Sequence, residues 1–443
     1  MKELKKIRIG AGAGFSGDRL EPAEILARKG AINYLVLECL AERTIALAQK
    51  RKLADPSKGY DPLLERRMEI LLPVIKEKGI RLITNMGAAN AIAASQKIID
   101  IAVRNNIRVK VAAVTGDDVL SRITGNETTL ESGKPLSSFG KIISANAYLG
   151  ADSILPALEA GADVVITGRV ADPSLVVAPL MHEFGWTYED TELIGKATVT
   201  GHLMECAGQV TGGYFADGVK KVVPGLEILG HPFADVYEDG TSVIGKVEGT
   251  GGLISLATVK EQLLYEVLNP HAYLTPDVSA DFTSVSLNQI SEDRVKVSGG
   301  GGSSKPDQLK VSVGYHAGFM GEGEILYAGT FAMERAEMAA GIISLRLKGA
   351  FPDNLRIDYI GRHSGHPGIS QDHPASYEVR LRISGMADSA DIAALIGEET
   401  EALYTNGPSG GGGVRKSVNE IIGVQSILMD RKSIHPSFSV FES

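Results

Sequence analysis

Along the first part of the chain, short apolar runs rich in β-branched residues alternate with longer stretches whose apolar positions recur every three or four residues. The runs at Ile7 to Gly10, Asn33 to Leu37, Arg81 to Thr84, Val109 to Val114 and Asp163 to Thr167 have the length and composition of buried strands. Between them, Pro22 to Lys29, Leu63 to Lys78, Ala91 to Asn105 and Ala151 to Ala160 carry helical periodicity, and Gly30, Gly79 and Gly161 stand where helices end. Strand and helix in strict alternation predict an α/β domain with a parallel, Rossmann-like sheet covered by helices.

The pattern then changes. From Lys221 to Gly249 it is turn-rich and extended; a helix is expected over Thr258 to Leu268, before Pro270 and Pro276 break the periodicity. Ser298 to Lys305, SGGGGSSK, has the composition of a linker. Beyond it the order becomes strand (Leu309 to Tyr315), strand (Glu324 to Gly329), helix (Ala332 to Leu347), strand (Leu355 to Ile360), strand (Tyr377 to Ile383), helix (Ala390 to Tyr404) and strand (Val424 to Met429). That order predicts a C-terminal two-layer α/β sandwich. The expected division is therefore residues 1–297, with 221–297 as a turn-rich extension, and residues 298–443.

Composition narrows the function classes. A chain of 443 residues with 44% hydrophobic and 22% charged residues can bury more than one core. A net charge of −9 disfavours nucleic acid and anionic membrane surfaces as partners. No apolar run reaches the ~20 residues of a membrane span, and the basic start Met1 to Lys6 leads into a strand rather than a secretory segment. Two cysteines, Cys39 and Cys206, make neither a disulfide framework nor a cysteine zinc site, and no metal site is expected; a cytoplasmic setting and a homo-oligomer are the expectations.

The unusual polar residues follow the strands, where ligands of open α/β sheets bind. The first strand leads to Gly12, Gly14, Gly17, Asp18 and Arg19, the second to Glu38, the third to Asn85, the fourth to Thr115, Asp117 and Asp118, and the fifth to Arg169 and Asp172. Turn and cap chemistry explains any one of these loops, and Asp172 before Pro173 reads as a helix N-cap. It explains five converging loops less well. No turn requires an arginine, so Arg169 is the candidate clamp for a carboxylate or phosphate, and a small anionic metabolite is the expected ligand. Asp117 and Asp118 could orient a hydroxyl, hold a divalent ion or cap a helix.

Gly12, Gly14 and Gly17 also spell G-x-G-x-x-G, with Glu38 21 residues past the third glycine, the textual form of a dinucleotide site. Pro22 places the helix start after the motif, which weighs against it. In GHLMECAGQVTGG, His202 and Cys206 are four apart, so a helix would pair thiol and imidazole on one face; Glu205 is a further acid–base candidate, and a structural histidine beside a buried thiol is the plain alternative. Two more glycine loops, one holding Gly251 and Gly252 and one at Asn406 to Arg415, could cradle an anion or simply turn the chain.

At these loops the chain resembles the acyclic terpene utilisation AtuA family. The segments that carry the resemblance are IGAGAGFSGDR, NYLVLECLAERT, VTGDDV, GADVVITGRVADPSL, GHLMECAGQVTGGYFADG, VEGTGGLISLATVKEQLLYEVLNP, AYLTPDVSADF and TNGPSGGGG, spread through almost the whole chain. One departure is TNMGAANA (Thr84 to Ala91), where the family pattern is nearer TNAGGLNP. The resemblance implies catabolism of branched or isoprenoid acids as coenzyme A thioesters and settles no reaction; the reading adopted is a lyase or hydratase acting on an acyl-coenzyme A or related small carboxylate. The resemblance supplies no cofactor and no catalytic residue. The competing readings are an NAD(P)-dependent oxidoreductase and a non-catalytic ligand-binding subunit.

Overall fold

A computed structural model describes residues 4–352, 355–362, 364–365 and 376–443. The chain divides into two compact units: residues up to Leu136 with Ile143–Gly314 and Val424–Ser443, and Ser137–Ile142 with Tyr315–Gly423. Among the described residues no helix is long and apolar enough to cross a membrane.

The first unit opens with the expected alternation: β1 (Lys6–Ala13), α1 (Glu21–Lys29), β2 (Tyr34–Leu37), α2 (Glu42–Ala54), α3 (Leu64–Lys78), β3 (Arg81–Thr84), α4 (Ala91–Arg104) and β4 (Lys110–Thr115). After β5 (Ile142–Ala147) and α5 (Leu155–Glu159) come β6 (Val164–Thr167), α6 (Ser174–Phe184) and α7 (Thr191–Glu205). Local chemistry accounts for these boundaries. Glu21 and Glu24 in the first turn of α1 and Arg28 and Lys29 in its last oppose the helix dipole. Asn90 caps α4 by accepting the Ala93 amide, and Gly79 ends α3 in the left-handed conformation, φ +66°.

Strands β1, β2, β3, β6 and β4 lie side by side in that order and run parallel. The chain advances in one direction from β1 to β3, with no reversal of strand order beside β1, so the crevice in which a Rossmann sheet seats its dinucleotide is not formed there. Leu26, Leu71, Ile98, Leu35, Leu82 and Ile166 belong to one core that joins α1, α3 and α4 to the sheet.

The sheet is mixed rather than purely parallel. Strands β7 (Pro232–Tyr237) and β8 (Ser242–Lys246) form a hairpin turned at Gly240, φ +80°, and β7 adds antiparallel to β1. Helix α8 (Leu256–Leu264), capped reciprocally by Ser255 and Thr258, ends four residues before the expected boundary at Leu268. It leads to β9 (Tyr273–Leu274), β10 (Ser279–Asp281), β11 (Ser286–Ser291) and β12 (Arg294–Ser298), of which β12 and β11 extend the sheet beyond β8. Tight turns join β7 to β8 and β11 to β12, and a parallel pairing in either case would have needed a long crossover.

The run Ser298 to Lys305 is not a linker. Within it β13 (Gly301–Ser303) pairs antiparallel with β10 and packs under α7. A Cβ on Gly195 of α7 would stand 2.0 Å from the Gly301 carbonyl oxygen, so these glycines permit helix and strand to touch. The expected boundary before residue 298 thus falls inside the first unit.

The second unit holds most of β14 (Gln308–Ala328), then α9 (Ala332–Leu347), β15 (Leu355–Ile360), β16 (Glu378–Ala387), α10 (Ala390–Asn406) and the start of β17 (Gly412–Asp430). Its antiparallel sheet, ordered β15, β16, β14, β17, packs through Ile325, Leu381 and Ile383 on Ala336, Ile343 and Ile396 of the two helices. The two strands expected over Leu309 to Gly329 are one continuous strand. The last strand, β18 (Ser437–Glu442), returns to the first unit and pairs antiparallel with β4.

Candidate functional site

The first unit contains a cavity of about 730 Å³, a size suited to a small organic ligand. Part of its lining comes from the carboxyl ends of the parallel strands. Gly14 follows β1, Glu38 follows β2, and Arg169 and Asp172 follow β6. Cys206, at the end of α7, also faces it.

The loops after β3 and β4 serve the cavity from one layer behind. Asn85 donates to Glu38 Oε1 at 2.9 Å and accepts the Cys39 amide at 2.7 Å. Asp117 accepts the Arg169 backbone N–H and the Asn146 side-chain amide, both at 2.9 Å. Burial raises the Asp117 carboxyl to about 6 against the pull of those two bonds.

Arg169 is the hub, with a side chain only 2% exposed. Its Nη1 donates to the Leu40 carbonyl, its Nη2 donates to Asp172 Oδ1 at 2.8 Å, and the guanidinium lies 4.1 Å over the Tyr148 ring. Nε alone has no partner. Burial works against its charge, but Asp172, Tyr148, Glu38 and Glu42 outweigh that and hold it firmly protonated. The fork expected for a ligand is thus engaged by the protein. Asp172 consequently makes no N-cap bond: α6 starts at Ser174 with Pro173 before it, while the Asp172 carboxylate turns to Arg169.

Two carboxyl groups beside this arginine are displaced toward neutrality. Burial, then the Asp172 charge, pushes Glu38 well above the usual carboxylate range, against Arg169 and Asn85. Burial raises Asp172 to about 7, with Glu205 and Glu42 adding to the rise and Arg169 opposing it. Asp172 and Arg169 both line the cavity, but the Asp172 side chain is 32% exposed against 2% for Arg169, so Asp172 presents far more of its surface to a ligand. Glu38 and Asp172 are thus two neighbouring carboxyls that burial shifts toward their neutral forms, the kind of environment in which carboxyls serve as acids or bases.

The candidate thiol–imidazole pair does not form, and the plain alternative of a structural histidine holds. Cys206 is the C-cap of α7, with φ −86° and ψ 15°, so it leaves the helical face that carries His202. His202 instead holds Glu205 Oε1 through Nδ1 at 2.8 Å, with its ring 5.4 Å from Tyr273 and 5.5 Å from Phe282. Burial and the neighbouring Glu205 push the Cys206 thiol far up, away from the thiolate a nucleophile needs. Neither His202 nor Glu205 lines the cavity; His202 Nε2 and Glu205 Oε2 are buried without partners.

Protein fills the space where side chains of the glycine motif would stand, and only Gly14 of the three borders the cavity. A Cβ on Gly14 would lie 2.3 Å from the Cys206 carbonyl carbon, one on Gly12 2.7 Å from Leu37, and one on Gly17 2.5 Å from the Phe15 ring. Asp18 accepts the Gly14 amide, and Arg19 holds the carbonyls of Leu226 and Glu227. Gly251 and Gly252 likewise meet the Gly225 and Thr211 carbonyls rather than open space. Thr115 lies 3.0 Å from the Ser437 hydroxyl, and the exposed Asp118 accepts the Leu120 amide.

Other lining residues had no signal in sequence beyond position: Glu42, Tyr148, Tyr273, Glu266 and Lys310. Tyr148 donates its hydroxyl to Glu42, which also accepts Lys310 Nζ at 3.1 Å. Burial resists the Glu42 charge, but the Tyr148 hydroxyl and Arg169 prevail and bring the carboxyl down to about 2. Leu130, Leu274 and Leu428 give the lining an apolar part. Among the described residues, no three histidine, cysteine or acidic side chains are grouped to hold a metal ion.

No curated protein and no solved structure matches this chain. The family model described as acyclic terpene utilisation family protein AtuA matches residues 7–440. With nearly every element of both units inside that match, the chain belongs to the acyclic terpene utilisation AtuA family.

Proposed function

We propose that this protein is a lyase or hydratase of acyclic terpene utilisation, acting in the cytoplasm on the neutral acyl head of a thioester. The observation that carries the reading is the pair Glu38 and Asp172, held beside Arg169 at one cavity with both carboxyls displaced toward neutrality. In the hydration of a 2-enoyl thioester, ionised Asp172 takes a proton from water as its oxygen bonds to the β-carbon. Protonated Glu38 then delivers its proton to the α-carbon, and proton exchange between the coupled carboxyls resets the site. Elimination of water is the same path reversed.

The charge balance bears on the substrate. Glu38, Glu42, Asp172, Glu266 and Asp307 face Arg169 and Lys310, so acids outnumber bases in the lining. An anionic group therefore gains little inside the cavity, and the reading keeps the phosphates of coenzyme A outside it. The sequence-based expectation of a small anionic ligand becomes one of a neutral reacting end with its charge elsewhere on the molecule.

The test is turnover of a panel of branched 2-enoyl and 3-hydroxyacyl coenzyme A thioesters, followed by the ultraviolet absorbance of the conjugated thioester. Glu38→Gln and Asp172→Asn should each cut turnover about 10²–10⁴-fold. A wild-type protein that binds and turns over none of the panel, or a fully active Glu38→Gln variant, would overturn the reading.

A further inference from the structure

A general acid and base leave one requirement of this chemistry unmet: as water adds, an electron pair moves from the C=C bond onto the thioester oxygen, and that oxygen needs a donor. Arg169 is ill placed to serve, being 2% exposed and engaged by Leu40 and Asp172. Arg67, the other fully buried arginine, has unpartnered Nε and Nη1 but is no part of the cavity lining.

Lys310 differs on each count. It lines the cavity with its side chain 41% exposed. Of the three protons on its ammonium, one is taken, by Glu42 at 3.1 Å. The ammonium also lies 4.9 Å over the Tyr148 ring, on which Arg169 stacks as well. Its backbone is fixed too, since the Lys310 carbonyl accepts the Tyr148 amide at 2.9 Å. Glu42 and Tyr148 thus anchor the cation from two directions while leaving donors free toward the cavity.

We infer that Lys310 is the electrophilic group of the site, donating to the thioester carbonyl oxygen and stabilising the enolate formed when water adds. The inference rests on the lyase or hydratase reading. The C–O bond forms at the β-carbon, the C=C electrons pass to the oxygen held by Lys310, and the enolate returns them to the α-carbon as Glu38 gives up its proton. Lys310 keeps its proton throughout. Glu42, ionised and shared with Tyr148, is a positioning residue that sets where the ammonium points.

The experiment uses 3-methylcrotonyl coenzyme A labelled with carbon-13 at the carbonyl, bound to the Glu38→Gln protein so that turnover is slowed, with the carbonyl band read by difference infrared spectroscopy. In the Glu38→Gln background the band should lie below its solution position. Adding Lys310→Met or Lys310→Gln should return it toward that position while calorimetry still shows binding; as single changes they should lower kcat about 10²–10³-fold with a smaller effect on KM. Lys310→Arg should recover part of the shift. Thermal melting of each variant separates a folding defect from loss of the donor. A band unmoved by both neutral substitutions overturns the role of Lys310 and leaves the acid–base reading standing. Failure of every thioester of the panel to bind when Lys310 is present overturns both.

Discussion

Gly14→Ala separates the two meanings of the glycine motif after β1. Its φ lies outside the left-handed range, so alanine suits the backbone and only space is at issue. The added Cβ would stand 2.3 Å from the Cys206 carbonyl carbon, 2.4 Å from its Cα and 2.6 Å from the Glu205 carbonyl oxygen. Comfortable carbon contacts begin near 3.5 Å, so one backbone must retreat by about 1 Å. All three atoms are backbone, at the end of α7 and just before Ala207, itself at φ +40°, so no side-chain rotation relieves the clash. Overpacking of this kind costs about 1–3 kcal/mol, a fall in apparent Tm of about 2–6 °C at roughly 2 °C per kcal/mol. Differential scanning fluorimetry with urea titration measures it. Gly341→Ala in α9, where nothing lies within 4 Å of the new methyl, is the matched control and should be neutral or stabilising. An unchanged melting point for Gly14→Ala together with lost nucleotide binding would refute the packing argument and restore the phosphate-cradle reading.

Arg169→Lys keeps the charge but loses the planar fork shared by Leu40 and Asp172, so unfolding should become easier by about 1–3 kcal/mol; unchanged urea midpoints would show that the guanidinium is not structural. Because Asp172 titrates at about 7 when folded and near 3.9 in an unfolded chain, the folded state holds the extra proton between those values, and stability from this group falls as pH rises from about 4 to about 7. The wild-type minus Asp172→Asn difference in unfolding free energy should decline across that window, and a flat or rising difference would count against the assignment. Limited proteolysis of the native protein should spare residues 298–305, because they contain a paired strand under α7; early cleavage there would contradict that pairing.

The parallel strands and their helices were legible because each is a local, complete signal: Arg81 to Thr84 is a buried apolar run ended by polar residues, and α3 closes at a glycine. Glu38, Arg169 and Asp172 were legible as residues after strands. Their partners were not, since which loop stands behind which depends on strand order: Asn85 meets Glu38 because β3 lies beside β2, and Asp117 meets Arg169 because β4 lies beside β6. Glycine was the most misleading residue. In Ser298 to Lys305 and at Gly14 it marks close approach of two backbones, which composition cannot tell from flexibility or a ligand cradle. Tyr148 and Lys310 escaped notice because they meet only when β5 pairs with β14, across 162 positions that carry no shared motif.

The pairing of β18 with β4 sets a clock on synthesis. Thr115 finds its partner Ser437 322 positions later, so the outer edge of β4, with Val111 and Val114, waits that long for its cover. At about 5–20 residues per second the wait is on the order of 15–60 s, far longer than a nascent sheet needs to form. An uncovered apolar strand edge invites pairing with other chains during that interval. The yield of this fold in a cell should therefore depend on how well that edge is shielded during translation as well as on the finished protein's stability.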